Sequence, residues 1–257
     1  MTQSQPTNRF KLPDGRKARC LVIVPAYNES GSITSVVQGL HDHLPEVDVV
    51  VIDDGSVDRT YQHVPKSATV IRLPFNLGIG GAMQTGYRFA FQYGYDVAVQ
   101  VDGDGQHPPS EVARLIDHLL QSNSDMVVGS RFKDTIAYRQ TLSRMFGIHF
   151  LRLWIHLLTG KRFSDCTSGF RAANRHVIDC YAHWYPMDYP EPEVLVLLTN
   201  HQMQIDELQV HMEQRSTGQT SIPFHRGLFY VVKVAGAVLL DKIRDPWPHR
   251  KHKEVTP

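Results

Sequence analysis

Short apolar, β-branched runs recur along this chain, each followed by a segment of helical periodicity, and that alternation limits what it can fold into. Leu21-Val-Ile-Val24 is one such run; Val47 to Ile52, Thr69 to Leu73, Val97 to Val101 and Asp125 to Val128 are others. Uninterrupted apolar runs of this length read as strands buried on both faces. Between them, Ser30 or Ser32 caps a helix through about Leu44, Asp58 opens the next helix, and Asn76-Leu-Gly-Ile-Gly-Gly81 leads into another. Alternating strands and helices predict an α/β fold, a Rossmann-like, mostly parallel sheet flanked by helices on both faces.

A polar cluster follows each run, at the carboxyl end of a strand, where open α/β sheets bind ligands. The most informative is Asp102-Gly-Asp104, which closes the run Val97-Ala-Val-Gln-Val101. Two carboxylates one residue apart at the mouth of a buried strand are costly unless a cation neutralises them. Hard oxygen ligands on a short loop suit Mg²⁺ or Mn²⁺ held against a diphosphate. The other clusters are Pro25-Ala-Tyr-Asn-Glu29, Asp53-Asp-Gly-Ser56 and Gly129-Ser-Arg131.

In order and spacing, Val24-Pro-Ala-Tyr-Asn-Glu29, Asp53-Asp-Gly-Ser56, Asn76-Leu-Gly-Ile-Gly-Gly-Ala82 and Asp102-Gly-Asp-Gly-Gln-His-Pro-Pro109 resemble family 2 glycosyltransferases of the GT-A fold. Within that family the chain is most similar to dolichol-phosphate mannose synthase and other polyprenyl-phosphate glycosyltransferases. Gly129-Ser-Arg131, Asp165-Cys-Thr-Ser-Gly-Phe-Arg171 and Arg215-Ser-Thr-Gly218 extend the match over roughly residues 19–225. The resemblance implies a nucleotide-sugar donor, UDP- or GDP-linked. Pro25, Ala26, Tyr27 and Glu29 would shape the nucleoside slot, with Tyr27 against the base or ribose and Glu29 accepting from ribose hydroxyls. Asp53 or Asp54 would accept from a base N–H, while one of the two caps a helix. Asp104 would be the direct metal ligand and Asp102 would bind through water or the ribose. Gln106 would add a neutral oxygen ligand.

The acceptor question turns on which group must lose a proton. A sugar hydroxyl needs a general base, whereas a lipid monophosphate is already largely dianionic at pH 7 and needs cationic clamps. Arg131 leads as clamp and catalytic residue, followed by Arg144 and Arg215, because the arginine fork is bidentate toward phosphate. Many polyprenol-phosphate synthases end this motif Arg-x-x-Gly-x-Ser-Lys; here Arg215-Ser-Thr-Gly-Gln-Thr-Ser221 has no lysine. Asp165 and Glu193 keep a hydroxyl-directed alternative open, since either carboxylate could act as base. A catalytically silent nucleotide-sugar-binding module is the third reading. One donor site without an evident nucleophile predicts inversion at the anomeric carbon.

A formal net charge of +1 over 257 residues argues against a nucleic-acid partner. Cys20, Cys166 and Cys180 lack metal-ligand spacing and read as reduced thiols. Residues 1–18 are polar and read as a flexible tail without a secretory signal. Residues 19–225 read as one GT-A domain, a nucleotide-sugar half to 131 and an acceptor half from 132. Residues 226–257 read as an amphipathic C-terminal helix, Gly227 to Leu240, with a basic tail. No run reaches the length of a membrane span. A second candidate for the bilayer surface is Leu142 to Leu158, with His149, Arg152 and His156 on one wet stripe. These helices, or a small membrane-protein partner, would hold a cytoplasmic enzyme at the inner membrane face, beside its lipid acceptor.

Overall fold

The computed structural model describes residues 9–132, 142–213 and 224–243, with side chains for 9–132, 147–213 and 233–243. Five strands follow the apolar runs: β1 (Cys20–Ala26), β2 (Asp48–Asp53), β3 (Thr69–Arg72), β4 (Val97–Gln100) and β5 (Met126–Ser130). Two more, β6 (Arg171–Asn174) and β7 (Ile205–Gln209), complete a seven-stranded sheet of order β3-β2-β1-β4-β6-β5-β7. All neighbours are parallel except β6, which runs antiparallel to both β4 and β5. The mostly parallel sheet is thus as expected, with one reversed strand inserted beside the strand that carries Asp102.

Helices cover both faces, so alternate residues of each strand feed separate cores. On one side, α1 (Ile33–His43) and α3 (Pro109–Gln121) pack Val37, Leu40, Val112 and Ile116 against Val22, Val24, Val99 and Val127. On the other side lie α2 (Gly78–Gln92), α4 (Leu142–Thr159), α5 (Arg175–His183), α6 (Pro190–Asn200) and α7 (Phe224–Ile243). They bury Met83, Tyr87, Leu151, Tyr181, Leu195 and Val238 against Ile23, Ala98, Val128 and Ala173.

Several expectations need correcting. Residues 9–18 are no tail: Phe10 is buried in the α1/α3 core, Lys11 bridges Lys17, and Arg16 forms a two-pronged ion pair with Asp96 at 3.0 and 3.1 Å. Asp58 opens a single 3-10 turn, Thr60–His63, rather than a helix. Ser32 occupies the cap position of α1 without capping it; its hydroxyl instead lies 2.8 Å from Glu29 Oε2 and 2.7 Å from the Gly103 carbonyl oxygen. On α4, of the stripe read as wet, His149 is exposed and Arg152 and His156 are half-buried, while Phe150, Leu153 and Leu157 beside it are exposed apolar side chains.

Candidate active site

The loops after β1, β2 and β4 converge at the carboxyl edge of the sheet. Asn28 adopts a left-handed backbone, donates its amide to Ser56 Oγ and accepts from Val57 N through its side chain. The amides of Glu29 and Ser30 donate to Thr60 Oγ1 and Asp58 Oδ2. Burial would raise the Asp58 carboxyl, but bonds from Thr60 and Ser30 outweigh it and hold it at about 2. These bonds fix the loop containing Pro25, Ala26, Tyr27 and Glu29 against the loop after β2. Tyr27 remains about half exposed at the mouth.

Asp53 and Asp54 divide their work. Asp54 accepts from the amides of Leu77 (2.7 Å) and Gly78 (2.9 Å), which caps the start of α2. Asp53, fully buried, accepts from Ser56 N through Oδ1; its Oδ2 has no hydrogen-bond partner among the described residues and lies 3.7 Å from Arg72 Nε. Of the pair, Asp53 therefore keeps an uncommitted acceptor. The glycines in these motifs are explained by close approach. Gly55, at φ +70°, sits where a Cβ would lie 2.7 Å from Asn76 N, and a Cβ on Gly80 would lie 2.3 Å from the Pro186 carbonyl oxygen.

Asp102 is partly exposed and Asp104 buried, on the loop that continues β4. Asp104 Oδ1 accepts from Gln106 N at 3.0 Å. Gln106 and Glu213 pair reciprocally, Glu213 N donating to Gln106 O at 3.0 Å and Gln106 Nε2 to Glu213 O at 3.3 Å. This pairing holds Glu213 against the Asp-x-Asp loop; Arg215 lies outside the described residues, as does the side chain of Arg144. Among the described residues no three His, Cys, Asp or Glu side chains form a metal cage. Two carboxylates and an amide oxygen fit a divalent cation that takes its remaining ligands from substrate phosphate.

His107, which sequence reasoning passed over, underpins this loop. It is buried, stacks on Phe170 with ring centroids 4.4 Å apart, and accepts from Asp102 N through Nδ1 at 3.1 Å. Burial pushes its pKa down against the opposing pull of Asp102 and Asp104, so the imidazole is neutral and Nδ1 remains an acceptor. Its signal was a histidine set directly before two prolines in the turn Gln106-His-Pro-Pro109.

At the end of β5, Arg131 is committed to a partner. Its Nε donates to Asp165 Oδ2 at 2.7 Å and its Nη2 to Oδ1 at 2.9 Å, with a further bond to Thr167 Oγ1. Asp165 is fully buried; burial would raise its carboxyl, but Arg131 holds it below the usual range. That removes it as a general base. Glu193 is also turned away: it accepts from Tyr189 N and pairs with Asp241 of α7, and burial with that second carboxyl pushes it up to about 8.

Glycosyl transferase family 2 matches residues 21–182 of the chain. A UDP-N-acetylglucosamine–dolichyl-phosphate N-acetylglucosaminyltransferase of Methanococcus voltae is 32% identical over 61% of this chain and 70% of its own length. Polyprenol monophosphomannose synthase of Mycolicibacterium smegmatis is 31% identical, and the match spans 63% of each chain. Glucosyl-3-phosphoglycerate synthase of Mycobacterium tuberculosis, solved with Mn²⁺, UDP and phosphoglyceric acid, shares the fold at a TM-score of 0.67 and 20% identity, covering 88% of this chain and 78% of that one. Because that family match spans more than half of its residues, the chain belongs to glycosyl transferase family 2.

Proposed function

We propose that this glycosyltransferase moves a sugar from a UDP- or GDP-sugar to a polyprenyl phosphate, with inversion, at the cytoplasmic face of the membrane. The observation that carries the lipid-phosphate acceptor is the fate of the two carboxylates offered as bases. Asp165 is locked on Arg131 and Glu193 faces Asp241, so neither serves a hydroxyl, whereas a phosphate dianion needs none. The Methanococcus voltae and Mycolicibacterium smegmatis relatives support this reading, since their names carry a dolichyl phosphate and a polyprenol monophosphomannose.

Pro25, Ala26, Tyr27 and Glu29 hold the nucleoside, with Asp53 as the base acceptor and Asp54 as the cap that orders α2. Asp104, with Asp102 and Gln106, holds Mg²⁺ or Mn²⁺. When bound, that ion offsets the charge that develops on the leaving diphosphate. His107 fixes the backbone of Asp102, and Asp165 fixes the plane of the Arg131 guanidinium so that it meets the acceptor phosphate without reorganisation. Arg144 and Arg215 add charge from the flanking segments.

No helix among the described residues is long and apolar enough to cross a membrane. The bilayer is met instead by α4 and α7, which the bond from Trp154 Nε1 to the Ala235 carbonyl holds together. Phe150, Leu153 and Leu157 on α4, and Leu239, Leu240 and Ile243 on α7, are exposed apolar side chains, with Lys233 and Lys242 among them. Apolar contact flanked by basic residues suits an anionic lipid surface, and a small membrane-protein partner could share it. Purified protein incubated with Mn²⁺, a panel of UDP- and GDP-sugars and undecaprenyl phosphate should form a lipid-linked sugar. Turnover on water-soluble sugar acceptors in its place would refute the assignment.

A further inference from the structure

The carboxylate of Glu207, on the edge strand β7, ends two chains of hydrogen bonds that lead to Arg131. β7 runs beside β5 in parallel register, with Glu207 opposite Val128 and Gln209 opposite Ser130. Strand alternation therefore sets Glu207 on the sheet face that Ser130 shares. Both of its oxygens accept from the Ser164 amide, at 2.9 and 2.8 Å, and Oε1 also accepts from Ser164 Oγ and from the Asp165 amide, each at 2.9 Å. One chain thus runs through Asp165, whose carboxylate receives Nε and Nη2 of Arg131. The other runs through Ser164. Its hydroxyl proton is directed to Glu207, so Ser130 Oγ, 2.6 Å away, is the donor to Ser164 Oγ, and Ser130 Oγ accepts in turn from Phe132 N at 3.2 Å. Ser130 and Phe132 flank Arg131. Glu207 therefore holds Arg131 by its backbone as well as through its side-chain partner.

The need for a carboxylate is local. Residues 160–170, between α4 and β6, form neither helix nor strand, so no regular ladder fixes the Ser164 and Asp165 amides. Three donors, two amides and one hydroxyl, converge on Glu207 instead. A carboxylate accepts on both oxygens and donates nothing, whereas an amide in its place would turn an NH₂ toward an N–H. Bonds to a charged acceptor are also roughly twice as strong as neutral ones.

We infer that Glu207 is a positioning residue for sugar transfer: by fixing the 164–165 segment it makes Asp165 present the Arg131 guanidinium to the acceptor in one orientation. The inference rests on the acceptor role given to Arg131 in the proposed function, while the ordering of the guanidinium does not depend on that role. A displacement of about 1 Å at a group that binds substrate can cost about 100-fold. Asp165 keeps its own bonds to Arg131 when Glu207 is altered, so the loss here should be nearer tenfold, at about 1.4 kcal/mol.

The test combines kinetics and nuclear magnetic resonance on the full-length protein with Mn²⁺, a nucleotide sugar and undecaprenyl phosphate in detergent micelles. Glu207→Gln should lower acceptor kcat/KM by about tenfold per folded molecule, with donor affinity by calorimetry held within about twofold. Ser164→Ala, which leaves both amides on Glu207, should lower it by about threefold. Adding Glu207→Gln to Arg131→Lys should cost less than about twofold more, because both changes act through one guanidinium. The Arg131 Nε–H signal, assigned by its loss in Arg131→Lys, should exchange with water about tenfold faster in Glu207→Gln than in the parent. Equal losses for donor and acceptor, full additivity with Arg131→Lys, or unaltered Nε–H exchange would each overturn the inference. Should Glu207→Gln fail to fold by thermal unfolding, Ser164→Ala decides, and unchanged acceptor kcat/KM together with unchanged Nε–H exchange overturns it. A parent that never glycosylates undecaprenyl phosphate overturns the acceptor assignment alone, and Nε–H exchange still decides whether Glu207 orders the guanidinium.

Discussion

Removing the Arg131 guanidinium should destabilise the fold before it reports on catalysis. Asp165 is fully buried and receives two charged bonds from Arg131, at 2.7 and 2.9 Å. After Arg131→Ala it would keep only the amides of residue 131 and Thr167 and the Thr167 hydroxyl, each at 3.2 Å. A buried carboxylate stripped of its partner costs about 3–5 kcal/mol. At about 2–4 °C per kcal/mol for a chain of this size, Tm should fall by roughly 6–20 °C. Asp165→Asn in the same background should restore part of the loss, with a coupling of about 2 kcal/mol or more in urea unfolding. The pH dependence has a definite sign. In the parent the folded carboxyl lies below its unfolded value, so its contribution is complete above the unfolded range, near 4, and is lost as pH falls through the folded pKa. In Arg131→Ala, burial without compensation raises that carboxyl, so the deficit against the parent should shrink as pH drops from 7 toward 4. A deficit below about 1 kcal/mol, or one that is the same at pH 4 and 7, would refute this account of the pair. Any claim that Arg131 clamps phosphate must therefore be measured per folded molecule, preferably with Arg131→Lys.

Asp104→Ala should lower turnover by about three orders of magnitude or more with Tm little changed, and EDTA should do the same to the parent; full activity in EDTA would exclude the metal. Glu193 is raised to about 8 beside Asp241, so its contribution is complete below its unfolded pKa and disappears as pH rises through 8. Glu193→Gln should accordingly flatten the decline of Tm between pH 6 and 9, and an unchanged slope would contradict the pairing. Gly80→Ala should cost about 1–3 kcal/mol in denaturant unfolding, since the added Cβ would lie 2.3 Å from the Pro186 carbonyl oxygen. Replacing Leu153 and Leu157 together by Glu should abolish low-salt sedimentation with anionic liposomes and leave unfolding unaffected; retained sedimentation would move the contact elsewhere on the surface.

How much was legible in the chain can be judged from single residues. The apolar runs of β1, β2, β4 and β5 and the polar clusters at their ends declared an α/β sheet and its ligand edge, because burial on both faces excludes polar residues from such strands and leaves them at the ends; β3, at the sheet edge, is largely exposed despite its apolar reading. β6 escaped notice: Arg171-Ala-Ala-Asn174 is short and bland, and only pairing with β4 and β5 makes it a strand. Its reversal brings Arg171 beside Gln100. Arg131 and Asp165 each stood out within a motif, but their bond spans 34 positions, and no local pattern says whether an arginine meets solvent, phosphate or a buried carboxylate. Glu193 stood out as a first-turn carboxylate, but only the packing of α6 against α7 turned it to Asp241. Sequence by itself determined which residue types line the carboxyl edge, since hydrophobic periodicity is local. Tertiary structure alone decided which charges are already paired, since desolvation and distance arise only when remote segments meet.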